Sequence, residues 1–351
     1  MQAALDELTG PKGPVPGLSA IVVRGGEVVW AGASGYADQE RREPAAPCTV
    51  YLWFSMTKIA TATAVVQLAE RGRLGLDEPV TTYLPELTSS PPITIRNLLQ
   101  HSAGLPNPVP VRWVHPASEP GPPSKDFALK VLARGRRRRK TPGVEARYSN
   151  PGYLALGEVV AAAAGESYED YVRANLLEPL GMARTDFRYG EALAEHAATG
   201  YQLRRSPLTP LFRLMLPRGI VGPTSGRFLS FNRFCVDGPA YGGLVGSAED
   251  AACFLALHAG GGGEVLSPEG VRSMQELTMH GRKLDVGLGW FRRHSDEDLG
   301  TPYVEHLGGG GGFFNMMRLF TDRSLGVIVM GNATAYDHQR IARAVLEAFP
   351  D

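Results

Sequence analysis

Apolar and polar positions change character twice along this 351-residue chain. Near the start, Leu18-Ser19-Ala20-Ile21-Val22-Val23 and Val28-Val29-Trp30-Ala31 flank Arg24-Gly25-Gly26-Glu27, a pattern that predicts a β-hairpin. Gln2 to Leu8, ahead of it, has helical spacing that Pro11, Pro14 and Pro16 break. Thr57 to Arg71 is a run rich in Ala, Val, Ile and Leu with Gly72 as its stop, which predicts a central helix buried on most sides. From about residue 75 to 235 the strand signal fades, and helical segments such as Tyr153 to Ala164 and Tyr168 to Leu177 alternate with proline-rich loops, loosest over Pro106 to Pro123. The strand pattern then returns in Phe313 to Phe320 and Leu325 to Met330, joined by a turn at Thr321-Asp322-Arg323-Ser324, before a last helix from about Asp337 to Ala348. Gly260 to Gly263 falls in a loop between helices.

Strands at both ends around a helical middle predict an α/β protein of two parts. Residues 1–74 and 236–351 form a sheet domain, and residues 75–235 form a mostly helical domain. Junctions of this kind leave a cleft and are favoured pocket positions.

With 43% hydrophobic residues the chain can bury a large core, and with 36 basic and 36 acidic residues its formal charge is zero. That balance gives no general attraction to nucleic acid or to an anionic membrane. The basic run Arg136 to Lys140 lacks interleaved aromatics and reads as a solvated helix end or loop. Cys48, Cys235 and Cys253 are too few and scattered for a disulfide framework and read as buried thiols. Asp6 and Glu7 stand where a secretory leader would have a basic start and an apolar core, so a cytoplasmic location is expected unless a leader has been removed. The oligomeric state is not legible.

The candidate chemistry begins at Ser55-Met56-Thr57-Lys58, where the apolar helix starts. On a helix, side chains three apart share a face with Cβ atoms about 5–6 Å from each other. A lysine in apolar surroundings loses its proton more easily and can then accept one from the serine hydroxyl. Only Lys58 among six lysines has a serine at that spacing. Tyr148-Ser149-Asn150 lies on a short loop before a helix. A phenol beside a lysine ammonium has its phenolate favoured and can shuttle protons, and Asn150 can offer an amide to a substrate carbonyl while also holding Lys58. His306-Leu307-Gly308 ends a strand beginning near Tyr303 and opens into a glycine run, Gly308 to Gly312, which lets a substrate approach backbone amides closely.

Three motifs in this order make the chain resemble the serine β-lactamase-related hydrolases: class C β-lactamases, low-molecular-mass DD-peptidases, D-aminopeptidases and family VIII carboxylesterases. Leu98 to Leu105, Tyr148 to Leu156, Glu178-Pro179-Leu180-Gly181-Met182 and Gly242 to Ser247 agree with it. The resemblance implies a β-lactamase/transpeptidase-like fold of α+β type, an antiparallel sheet flanked by helices. It implies Ser55 as the acylated nucleophile and Lys58 as its proton acceptor or organiser. Tyr148 would pass protons to the leaving group, Asn150, His306 and Gly308 would line the substrate site, and the N–H groups of Ser55 and Gly309 would form an oxyanion hole. Whether Lys58 or Tyr148 is the base stays open, and the two are treated as a coupled pair. No cofactor and no metal is implied.

One departure bears on substrate. The third motif of such enzymes is usually Lys-Thr-Gly or His-Thr-Gly, and here Leu307 takes the threonine's place and His306 the lysine's. Loss of the hydroxyl weakens recognition of a carboxylate beside the scissile bond, with a protonated His306 as partial compensation. The expectation is a metal-free carboxylesterase on short-chain esters, with slow or incidental β-lactam turnover. The partner is then a small-molecule ester or β-lactam-like substrate, not nucleic acid or membrane. A β-lactamase or D-amino-acid peptidase, an acyltransferase, and a silent binding or scaffold homologue are the alternatives. A Gly-x-Ser-x-Gly elbow and a His-Glu-x-x-His zinc pair are both absent from the sequence. His101 and Ser102 adjoin a tight turn and read as structural.

Overall fold

The structure, a computed structural model, describes residues 1–10, 12–134, 140–296 and 299–350. Of the basic run, Arg136 to Arg139 lie outside the described residues.

The predicted hairpin forms as β1 (Gly17–Arg24) and β2 (Glu27–Asp38). Gly25 and Gly26 both have positive φ, 57° and 93°, the requirement of a two-residue turn that matches the strand twist. After β3 (Glu43–Pro44), the sheet is completed from the far end of the chain. Its strands there are β4 (Met279–His280), β5 (Leu284–Val286), β6 (Phe291–Arg293), β7 (Tyr303–Gly310), β8 (Phe313–Phe320) and β9 (Leu325–Gly331). Among the described residues the order is β4-β5-β6-β7-β8-β9-β1-β2-β3, antiparallel throughout.

β1 pairs with β9 from Leu18↔Gly331 to Arg24↔Leu325, so the two ends of the chain share one sheet. Both faces are covered. Leu18, Ala20 and Val22 pack with α1 (Gln2–Thr9) and the final helix, whereas Ile21 and Val23 join the main core on the other face. Burial on both sides explains why β1 reads as a nearly unbroken apolar run. Behind the sheet, α2 (Thr57–Glu70) has every residue from Thr57 to Leu68 buried, as expected of a helix apolar on most sides. It stops just before Gly72, whose φ is 66°. α3 (Asn150–Ala164) starts on Ser149, whose hydroxyl accepts the Gly152 N–H, and ends on left-handed Gly165. α4 (Ala248–Ala259) lies against β1 and β9, and α5 (His338–Ala348) closes the chain.

Several expectations are corrected. The middle of the chain holds a three-stranded antiparallel sheet of Gly200–Leu203, Phe228–Phe231 and Val221–Ser225, and Val114–Pro116 pairs with Phe234–Val236. Strands of three to five residues carry too few alternations to show a period. The segment Tyr168 to Leu177 is helical as expected, an α-helical turn followed by a π-helical one, Arg173–Leu177. The strand at His306 does not end at Gly308 but continues to Gly310, paired with Phe313, and only Gly311 and Gly312 turn. Cys235 is buried, but Cys48 is partly exposed and Cys253 exposed, all three free. In the helix Leu208–Met215, Phe212 packs on Phe231, whereas Leu214 is 80% exposed. Among the described residues no helix is long and apolar enough to cross a membrane.

Candidate active site

Ser55 stands in a 3₁₀ turn, Phe54–Met56, that runs directly into α2. The turn is braced from several sides. Trp53 N–H donates to the Leu244 carbonyl (2.8 Å) and Leu244 N–H to the Thr57 hydroxyl (3.1 Å). The Asn315 amide of β8 donates to the Leu52 carbonyl (2.9 Å). β7 passes so close that a Cβ on Gly308 would overlap the Trp53 carbonyl oxygen, so this position demands glycine. Phe54 has φ of 47°, a left-handed conformation that costs about 1–3 kcal/mol in a non-glycine residue and persists where the surroundings over-determine it.

Lys58 follows one turn later and is fully buried. Its Nζ lies 3.0 Å from Ser55 Oγ and donates to the Tyr241 carbonyl oxygen at 2.6 Å. The same nitrogen lies 5.0, 5.3 and 5.6 Å from the ring centroids of Tyr148, Tyr241 and Tyr153. Rings offer an ammonium less than water or a carboxylate would, and burial pushes the Lys58 pKa well below its ordinary value.

Tyr148 and Asn150 arrive on the segment that caps α3. Burial pushes the Tyr148 phenol pKa up, and the nearby Ser55 side chain offsets only part of this. The expected phenolate beside an ammonium is therefore reversed. Burial works against both charged forms, the Tyr148 phenolate and the Lys58 ammonium.

Asn150 makes no hydrogen bond to Lys58; the carbonyl of Tyr241 does that work. Its backbone N–H donates to Asn107 Oδ1 (3.0 Å), and its own Oδ1 is buried without a partner, an acceptor for a ligand to satisfy.

His306 is fully buried on β7, its ring 4.6 Å from that of Phe291 and 6.2 Å from that of Tyr148. Nδ1 lies 3.0 Å from the Leu307 carbonyl oxygen and Nε2 has no partner. Burial first, then Lys58 and His101, push its pKa well below the ordinary value. It is a neutral imidazole and cannot supply the cation expected of the third motif. Gly308 and Gly309 lie on the same strand, opposite Asn315 and Phe314, alongside the turn that carries Ser55.

Two contributors were not read as part of the site. Tyr241 precedes the Gly242-Gly243 pair; its carbonyl anchors Lys58 and its ring helps to bury it, a backbone role that side-chain identity does not signal. His101, read as structural, is buried at φ 54° with its ring 4.5 Å from that of Tyr148. Its Nδ1 accepts the Ser149 N–H (3.2 Å), and burial, reinforced by Lys58, pushes its pKa down to about 3. It holds the Tyr148 loop as a neutral acceptor.

Two cavities open at Tyr148. One, of 670 Å³, is walled by Phe291, Leu307 and Phe314; the other, of 550 Å³, runs past Asn107 and Arg147. A larger cavity of 740 Å³, around the hydrogen-bonded pair His115–Asp237 (2.6 Å), is bordered by none of Ser55, Lys58 or Tyr148.

The chain is similar to protein flp of Staphylococcus aureus (strain COL), 32% identical over 203 residues, which are 56% of this chain and 39% of that one. The match thus spans well under half the length of that relative. Among solved structures, an octameric penicillin-binding protein homologue from Pyrococcus abyssi superposes with a TM-score of 0.76 at 27% identity, covering 99% of this chain and 76% of the other. D-amino acid amidase from Ochrobactrum anthropi SV3 shares the fold, with a TM-score of 0.78 at 22% identity over 99% and 97% of the two chains. The chain belongs to the Beta-lactamase family, whose model matches residues 2–349.

Proposed function

We propose that the protein is a serine hydrolase that acylates Ser55 and acts as a carboxylesterase on short-chain esters. The observation that carries this is the 3.0 Å approach of Ser55 Oγ to the amine of a lysine buried among tyrosine rings. In this reading residues 1–74 with 236–351 supply Ser55, Lys58, Tyr241 and β7, residues 75–235 supply Tyr148 and Asn150, and substrate enters between them.

In its neutral form, which burial favours, Lys58 keeps a lone pair for the Ser55 proton while an N–H stays on the Tyr241 carbonyl. Ser55 Oγ forms a bond to the ester carbonyl carbon as its proton passes to Nζ. The carbonyl oxygen takes the negative charge, held by the N–H groups of Ser55 and Gly309. When the C–O bond to the alcohol breaks, Tyr148 gives its proton to the leaving oxygen and is reprotonated from Lys58. Water then attacks the acyl group, its proton returns along the same path, and acid is released. The pair titrates as a unit.

The ester preference rests on the third motif. Leu307 offers no hydrogen bond and His306 no charge, so a carboxylate placed beside the scissile bond, as in a penicillin or a D-peptide, would be desolvated without a partner. Intact-mass measurement after separate mixing with p-nitrophenyl esters, a penicillin and D-alanyl peptides tests this. Acylation of Ser55 by the esters supports the reading; acylation by penicillin or peptide alone overturns it.

A further inference from the structure

We propose that Arg282 and Lys283 form an anion-binding rim on the leaving-group side of the cleft, and that the preferred esters carry an anionic group on the alcohol part, away from the scissile bond. The inference rests on the esterase reading above and adds to it a substrate class.

Both cavities that meet at Tyr148 are bordered by the same three residues, Arg282, Lys283 and Leu284. Arg282 and Lys283 lie in the tight connection between β4 and β5 and Leu284 opens β5, the Gly281 N–H donating to the Leu284 carbonyl (2.9 Å). The connection is docked on the strand of chain leading to Tyr148. Ala146 N–H donates to the His280 carbonyl (3.0 Å), and a Cβ on Gly281 would overlap the Ala146 carbonyl oxygen. Backbone contact two residues from Tyr148 therefore fixes where the cations stand relative to the phenol.

Charge accounting leaves this rim positive. Glu145 is engaged by Arg147 at 2.6 Å and only approached by Arg282 at 3.8 Å. Arg293 is held by Asp296 (2.7 Å) and Glu305 (3.3 Å), and the single carboxylate of Asp285 lies 2.9 Å from His280 and 3.1 Å from His294. Among the described residues Lys283 has no carboxylate partner, and neither has Lys140, which borders the second cavity. In a chain of zero formal charge this is a local excess of cations at the mouth of the cleft. Tyr148 donates to the leaving oxygen in the proposed mechanism, so the alcohol part points toward the residues around it. Buried Phe291 and half-buried Leu307 and Phe314 wall the same cavity as the exposed Arg282 and Lys283. The arrangement suits an alcohol or phenol with an apolar body and a distal carboxylate, sulfonate or phosphate.

The test compares kcat/KM for 3-carboxy-4-nitrophenyl acetate and 4-nitrophenyl acetate in wild type, in Arg282→Ala/Lys283→Ala and in Lys283→Glu. The anionic-to-neutral ratio should fall about fivefold in the double variant and further in Lys283→Glu, the scale of two exposed charge contacts. In wild type it should also fall as salt rises from low to about 0.5 M, because exposed charges are screened. A ratio unchanged by the substitutions and by salt overturns the rim while acylation of Ser55 by the neutral ester upholds the esterase reading. Absence of acylation by either ester overturns both.

Discussion

Lys58 Nζ is anchored 2.6 Å from the carbonyl oxygen of Tyr241, a residue 183 positions away. A carbonyl holds an amine in either protonation state, unlike a carboxylate, which would hold it charged. This choice of anchor leaves burial free to depress the Lys58 pKa, and the functional consequences can be measured.

Ser55→Ala should abolish ester hydrolysis and covalent labelling, because it removes the hydroxyl 3.0 Å from Lys58 Nζ. Circular dichroism should be unchanged. Retention of more than a small part of wild-type turnover would identify another nucleophile.

Lys58→Ala and Tyr148→Phe should each lower turnover by about 10² to 10⁴, the usual scale of acid–base groups. Both act on one proton path, so the double variant should be hardly worse than the poorer single one. Losses that multiply would show independent roles.

Acylation needs the free amine, so kcat/KM should rise with pH through an apparent pKa below 10.5, the ordinary value for lysine. The stability of the fold carries the same signature. Between the depressed folded pKa and the unfolded one, the unfolded chain binds the extra proton, so this group's contribution to stability rises with pH. The Tm difference between Lys58→Met and wild type should therefore move in favour of wild type from pH 7 to pH 10. A flat difference would mean that Lys58 stays charged in the fold.

Leu307→Thr should raise the penicillin-to-ester ratio of kcat/KM about tenfold, for one charge-assisted hydrogen bond worth ~1.5 kcal/mol. Neutral His306 adds nothing to this. If wild type already prefers the penicillin, the selectivity drawn from Leu307 is wrong.

Gly308→Ala should destabilise the protein and remove activity together, because the added methyl group meets the Trp53 carbonyl under the Ser55 turn. Gly311→Ala, whose Cβ would find only ordinary contact with Phe231 at 3.4 Å, should be tolerated. Equal effects at both positions would show that glycine at 308 serves flexibility rather than close approach.

Local patterns carried much of this in the amino-acid sequence itself. Helical spacing placed Ser55 beside Lys58, the largely apolar run over Thr57 to Leu68 made α2 central, and Gly25-Gly26 between apolar strands set the hairpin. Each depends on residues a few positions apart, where covalent geometry limits the options. Short strands such as Gly200–Leu203 were not legible, since their pairing with Phe228–Phe231 is decided by a distant partner. The same holds at the site. Burial among the rings of Tyr148, Tyr153 and Tyr241 works against the Lys58 ammonium, and burial likewise raises the Tyr148 phenol, the reverse of what adjacency of charge alone suggested. The Tyr241 carbonyl, the acceptor on His101 and the neutrality of His306 are likewise products of packing. The residue types were written in the chain; their protonation and their partners depend on which surfaces exclude water, and only the tertiary structure brings those surfaces together.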